Sequence, residues 1–437
     1  MLILIVVGVL PSMAHAQLPA INSAPRVLHQ PPVNKSANHK PANRTPAIKH
    51  PSVSSTQTQP TKVRQVSHTD PISVESYDQI ACEQTCKQTV GWISAEWLFW
   101  STKGVEFPSL ATTSPAGTDQ TAAGVLPAAT TLFGGDRLHG EGRSGGRYSL
   151  GGWIDQYHTK SFEVSYLQLN DISESFSASA NDFSILARPF FNTTTEIENA
   201  RLLNFDGLIT GDMAISSFTE FQTYEFLLRR GFTRPNGSRT AFVVGYRGAN
   251  LEDMLRIEES TTALSGLVAG SSFDLLDQFD TENEFHGITF GYEYIGPVIR
   301  NGTLEFFGKV AVGATSSRVI VNGRTDTVTV TGDSSIVNAG FLTQGTNVGT
   351  FRDVDFDSLS EVGLRFRYHT SHDLDFFVGY SFLYWGQVAR AGSQIDPGIN
   401  VTQIPPGVLV GEERPRPPID REGFWAQGLN LGFSYDF

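Results

Sequence analysis

Six glutamates, Glu96, Glu163, Glu225, Glu293, Glu305 and Glu361, and six basic residues, Arg147, Arg229, Arg247, Lys309, Arg365 and Arg367, fall at alternate positions of segments whose other positions are apolar. Unpaired charges in a confined space shift their pKa or cost roughly several kcal/mol each, so this equal balance predicts a paired lumen charge network. Pairing is the expected chemistry here, and catalysis is not. Two histidines stand beside carboxylates, His286 near Glu282 and Glu284, and His139 near Asp136 and Glu141, which is the composition of an acid–base site. Both lie in stretches that read as loops, so each is expected to be solvated. His369 and His372 fall beside a short turn, away from any exposed substrate. No nucleophile elbow, His-x-x-x-His helix or phosphate loop occurs, so no catalytic residue, metal site or cofactor is predicted. Cys82 and Cys86 are the only cysteines. In an oxidising compartment two thiols either pair or are absent, and a bond at this spacing would pin only local structure.

The elements that must position the charges are strands. From about residue 90 the chain breaks into segments of ten to thirteen residues with alternating apolar positions, longer than ordinary soluble strands and long enough to cross a bilayer when tilted. The last is the clearest: Trp425, Leu429, Leu431, Phe433, Tyr435 and Phe437 share one face, against Gly428, Asn430, Gly432, Ser434 and Asp436 on the other. The same reading places Phe162, Val164 and Tyr166, Tyr224, Phe226 and Leu228, Phe242, Val244 and Tyr246, and Ile288, Phe290, Tyr292 and Tyr294 on apolar faces. Aromatic residues crowd these faces, as a lipid-facing belt with interfacial girdles requires. Links alternate in length. Short ones fall near residues 156–159, 231–238, 296–301 and 370–373, and long ones near 102–145, 171–217, 249–283, 315–358 and 387–422. This predicts an all-β fold: a transmembrane antiparallel up-and-down β-barrel of about ten strands (ten to twelve), with long extracellular loops, short periplasmic turns and both barrel ends on the periplasmic side. The range allows for residues 318–330, which read as a further hairpin.

Charge and composition divide the chain further. Residues 1–16 read as a signal peptide, with an apolar run followed by Ala14-His15-Ala16, which predicts export to the bacterial cell outer membrane. No run of about eighteen apolar residues occurs, so spanning helices are not predicted. Residues 17–85 read as a disordered periplasmic linker rich in Pro, Ser and Gln. Its part up to residue 69 holds seven basic and no acidic residues, leaving about 25 basic against 45 acidic in the rest. A basic linker fits contact with an anionic cell-wall polymer, or serves as a solvated spacer. The acidic folded part, residues 90–437, carries no basic surface interleaved with aromatics, so no nucleic-acid partner is predicted.

Motifs along the folded part resemble one family specifically. They are residues 92–104 (WISAEWLFWSTKG), 112–115 (TTSP), 132–136 (LFGGD), 142–147 (GRSGGR), 186–192 (LARPFFN), 228–230 (LRR), 308–313 (GKVAVG), 378–385 (VGYSFLYW), 394–396 (QID) and 424–432 (FWAQGLNLG). The chain from about residue 91 to its end resembles the seventh family of putative beta-barrel porins. That resemblance implies an outer-membrane barrel and carries over no catalytic residue. Phe433, Tyr435 and Phe437 also resemble the aromatic end signal by which barrel-insertion machinery recognises its clients. Their other reading is a strand that simply ends on apolar residues.

Ten strands enclose little more than packed side chains, whereas sixteen to eighteen leave an aqueous channel. A narrow or loop-plugged lumen for small-solute passage is therefore the leading expectation, with Arg188 and Pro189 beside Phe190 and Phe191 as the candidate plug. A non-conducting structural or adhesive barrel presenting its surface loops is the alternative. An outer-membrane enzyme ranks below both.

Overall fold

A computed structural model describes residues 89–370, 373–405 and 407–437. The signal peptide, the linker, Cys82, Cys86 and His372 lie outside the described residues. Ten strands form the barrel: β1 (Gly91–Thr102), β2 (Gly142–Trp153), β3 (Lys160–Ser179), β4 (Ile209–Thr233), β5 (Arg239–Ala263), β6 (Ser272–Ile299), β7 (Gly302–Val328), β8 (Gly349–His369), β9 (Leu374–Ala389) and β10 (Arg421–Asp436). Every strand pairs antiparallel with its sequence neighbours, and β1 pairs β10 from Trp92↔Asp436 to Thr102↔Ala426, which closes the ring. The carbonyl of Phe437 accepts from the Val90 and Gly91 amides, so the two chain segments that seal the barrel meet at one end. Closure leaves no lengthwise sheet edge exposed to lipid.

Links of 154–159, 234–238, 300–301 and 370–373 lie at that same end, the turn end; residues 103–141, 180–208, 264–271, 329–348 and 390–420 connect strands at the opposite, loop end. β1 and β2, of 12 residues each, match the alternation, whereas β3 to β8 are far longer than it predicts. β4 and β5 have 25 residues each, β6 has 28 and β7 has 27, against about ten needed to cross a bilayer. The expected loop at 249–283 is therefore two strands joined by a turn at 264–271, and the expected loops at 171–217 and 315–358 shrink likewise. Residues 318–330 add no barrel strand; the end of β7 only pairs with a short hairpin arm, Ser334–Val337.

The physical reason is an inversion of the apolar face. Near the turn end, even-numbered residues of β4 to β7 point outward and are apolar and exposed, as at Phe226, Val244, Phe290 and Phe306. Beyond that belt the outward positions turn polar, with Gln222, Glu252, Asp280 and Arg318, while the inward, odd-numbered ones become apolar and buried, as at Ile215, Leu255, Phe279 and Val319. The strand continues through this change because every backbone group keeps its ladder partner on both sides. The solvent, lipid below and water above, is what changes.

Inside the projecting wall the loop segments build a second sheet. Leu186–Asn192 pairs with Ile197–Asn204, with Gly398–Ile399 and, through Thr112, with Ala111–Thr113, which continues to Thr130–Phe133. Phe107, Leu110, Leu186, Phe190, Phe341 and Ile399 from the loops pack with Ile215, Leu255, Phe279 and Val319 of the wall in one buried cluster.

Candidate functional site in the barrel lumen

The lumen is stacked in tiers. The tier nearest the turn end holds the twelve charged residues predicted to face inward. Strand register sets opposite charges side by side, Glu96↔Arg147, Glu225↔Arg247, Glu305↔Arg365 and Lys309↔Glu361. Longer pairs cross the bore: Arg147 meets Glu361 at 2.5 Å, Lys309 meets Glu225 at 2.5 Å, and Arg365 meets Glu96 at 2.6 Å. Glu361 also accepts from Arg247 at 2.9 Å and faces Lys309 at 3.5 Å. To one side Arg229 bridges Glu163 and Glu293 at 3.0 and 2.9 Å, and Arg367 holds Glu305 at 2.5 Å. Each of the twelve thus has an opposite partner. Such geometry offsets the desolvation of burying ions and fixes which strand faces which. Between this tier and the turn end lies a cavity of about 360 Å³, lined by residues that include Trp92, Trp153, Arg229, Arg239, Arg367 and Asp436.

The next tier is apolar. Trp100, Leu169, Phe221, Leu251, Phe285, Trp385 and Phe424 are fully buried and belong to one cluster. Phe221 and Phe424 sit 5.1 Å apart, and Phe285 meets Trp385 edge-on at 6.0 Å. Both indole nitrogens are satisfied, Trp100 donating to Asn430 at 2.7 Å and Trp385 to the Thr315 hydroxyl at 2.9 Å. The Arg147 guanidinium lies 5.8 Å from the Trp100 ring on one side of this tier, and Arg390 lies 5.4 Å from Phe424 on the other.

Beyond it comes a polar tier that no sequence argument identified. Arg390, which follows β9 and is 1% exposed, binds Asp253 of β5 through two nitrogens at 2.5 and 3.2 Å. Asn283 of β6 grips the end of β9 through both the Ala389 amide and carbonyl, at 2.7 and 2.8 Å. His139 is here too, 1% exposed, with Nδ1 2.9 Å from the Thr219 hydroxyl and Nε2 2.8 Å from the Ser217 hydroxyl. The expected solvated histidine is therefore buried, because the loop that carries it turns into the bore. Burial pushes its pKa down, more than the facing carboxylates Glu174 and Asp253 raise it.

The outermost tier centres on Arg188. It joins Glu259 at 3.1 Å and Asp277 at 2.6 Å, and Arg201 meets Glu259 at 2.6 Å. Asp277 also accepts from the Leu342 and Thr343 amides, tying a second loop to the same point. Burial alone would raise the Glu259 carboxyl, yet Arg201 and Arg188 together hold it below the ordinary range. Of the two phenylalanines beside Arg188, Phe190 is buried and Phe191 is 37% exposed. The other two described histidines singled out in the sequence, His286 and His369, take surface roles. His286 faces the Tyr246 hydroxyl at 2.6 Å on the outer wall, and His369 lies between Asp375 and Thr303 near the turn end.

The signal for the inner ion pairs was present as acids and bases in the projecting strands. It is unreadable in the sequence because the outward positions of those segments turn polar and the segments then resemble loops. Phe433, Tyr435 and Phe437 all point outward, 40–45% exposed, in the apolar belt.

A search of curated proteins finds no match for the chain. Among solved structures it is similar to the outer membrane protease OmpT from Escherichia coli, with 7% identity, 80% of this chain and 98% of that one covered, and a TM-score of 0.37. It is also similar to a Pseudomonas aeruginosa FadL homologue, with 9% identity, 80% and 91% covered, and a TM-score of 0.23. The profile of one family, described as Putative beta barrel porin-7, matches residues 92–437. With a closed ten-stranded barrel, an apolar outer belt and that match over most of its length, the chain is an outer-membrane β-barrel and belongs to the Putative beta barrel porin-7 family.

Proposed function

We propose that this barrel is a small-solute porin whose narrow bore is closed at rest by its own loops. The observation that carries the reading is the seating of buried loop residues in the bore, Arg390 on Asp253, His139 on Thr219 and Ser217, and Arg188 on Glu259 and Asp277, above an apolar tier of strand side chains, Trp100, Phe221, Phe285, Trp385 and Phe424, that is itself fully buried. A continuous water path would leave some of these side chains wet, and ions do not cross a dry apolar constriction. Passage then requires the segment led by Arg390 and the inner sheet led by Arg188 to move, which uncovers the strand-borne rings and lets them turn aside. The twelve-charge tier keeps the wall rigid while they do so.

Purified protein in planar bilayers tests this. Wild type is expected to show little steady current, and Arg390→Ala, which frees the loop from Asp253, is expected to raise it. Cross-linking the strand Leu186–Asn192 to the wall should abolish the gain. A wide, ohmic conductance from wild type overturns the closed-bore reading. Absence of current in every variant, with barrel circular dichroism intact, favours a structural or adhesive barrel. For that second reading speaks the wall that projects beyond the belt and ends in exposed Leu264, Leu267 and Val268.

The turn end, in this reading, faces the periplasm, where short turns lie in such barrels. In this reading the basic linker, residues 17–85, meets the cell-wall polymer, and residues 1–16 direct export. The outward row Phe433, Tyr435 and Phe437 on β10 is the part offered to the barrel-insertion machinery. The histidines serve structure rather than catalysis: His139, His286 and His369 each face neighbouring hydroxyl or carboxylate groups within the protein.

A further inference from the structure

His139 is the one imidazole buried inside the bore among the described residues, and its hydrogen bonds fix its proton. Asp253, bound by Arg390, only accepts, so the Thr219 hydroxyl donates to it at 2.7 Å. The Thr219 oxygen must then accept from Nδ1–H of His139, and with the ring neutral, as burial favours, Nε2 accepts from Ser217. Its own backbone is held as tightly: the amide donates to Glu174 at 3.1 Å, the carbonyl accepts from Thr102 at 3.1 Å, and φ is 62°, in the left-handed region.

We infer that His139 is an acid-operated latch: neutral, it pins the segment between β1 and β2 to the barrel wall, and once protonated it releases that segment from the bore. The inference rests on the reading of the in-folded loops as the closure of the bore. Protonation at Nε2 turns an acceptor into a donor, so the Ser217 oxygen must accept instead and its hydroxyl hydrogen must find another acceptor in a buried tier. It also sets a cation among Arg390 and Arg143 of β2, which oppose it, while Glu174 of β3 and Asp253 of β5, the latter bound by Arg390, favour it. Released into water, the same imidazole takes a proton near its ordinary value. The released state therefore binds more protons, and closure is complete above about pH 6.5 and weakens as pH falls below it.

Hydrogen exchange of residues 103–141 in the full-length, membrane-inserted protein tests this between about pH 7.5 and about pH 5, corrected for intrinsic exchange. Wild type is expected to gain opening by up to about tenfold per pH unit on the acid side. His139→Gln, which keeps hydrogen-bonding groups but does not titrate, should be flat. A wild-type segment indifferent to pH, or an equal acid response in His139→Gln, overturns the latch. If His139→Gln fails to insert, Glu174→Gln serves: loss of a carboxylate that favours the charged ring lowers proton binding in the closed state only, so the acid response must begin at the same pH and be at least as large as in wild type at about pH 5, and a smaller response also overturns the inference. Planar-bilayer current on the same protein separates the two readings. An acid-dependent exchange response without current at any pH keeps the latch and removes solute passage.

Discussion

Glu361 is the hub of the charged tier, and replacing it by glutamine tests whether that tier is an energetic unit. Its two oxygens meet Arg147 at 2.5 Å and Arg247 at 2.9 Å, with Lys309 at 3.5 Å, and its side chain is 1% exposed. At an effective dielectric constant of about 20, each close pair carries a gross attraction of about 5 kcal/mol, against a desolvation penalty of several kcal/mol per ion. Glutamine keeps the volume and removes the charge. Lys309 and Arg247 keep Glu225, whereas Arg147 retains only Glu96 at 3.9 Å. Breaking a buried pair in this way costs about 3–5 kcal/mol. The assay is denaturant unfolding of the barrel in detergent micelles, followed by tryptophan fluorescence and by the heat-dependent shift in gel mobility. A double variant, Glu361→Gln with Arg147→Met, removes the stranded cation, leaves Glu96 with Arg365, and is expected to recover at least half of the loss, which is the signature of coupled sites. A loss below about 1 kcal/mol for Glu361→Gln, the range of exposed pairs, refutes the reasoning.

Arg365→Glu places a third carboxylate against Glu96 and Glu305, now 2.6 and 3.7 Å from the guanidinium, and is expected to lower heat resistance or open a conductance; no change in either counts against the paired lumen. Arg201→Met removes the larger of the two attractions that hold the Glu259 carboxyl down, so its ionised form, stabilising above the ordinary carboxylate range, is lost at a higher pH as the medium is acidified. Acid titration of exchange across Leu186–Asn192 should show that loss beginning earlier in the variant than in wild type. Deletion of Phe437 removes the carbonyl that the Val90 and Gly91 amides share at the seam, and the fraction of heat-modifiable protein recovered from outer membranes should fall while total synthesis is unchanged.

Where lipid is the solvent, the sequence alone determined the structure: one face of each segment must be apolar, so Phe226, Val244 and Phe290 declare the outer face and Glu225, Arg247 and Glu293 the inner one. Strand number, the alternation of short and long links, and the membership of the twelve-charge tier follow from that constraint. Above the belt, water replaces lipid outside and folded loops replace water inside, so the polarity of the two faces reverses and the pattern ceases to mark strands. That Ala249 to Ala263 continues β5, that Arg390 closes on Asp253 across 137 residues, and that His139 is buried rather than solvated are decided by contacts between distant segments. Such contacts have no local periodicity to announce them. Only the tertiary structure brings the loops into the bore, because the apolar inward residues of the projecting wall, Ile215, Leu255, Phe279 and Val319, have no lipid to meet and must be covered by the protein itself.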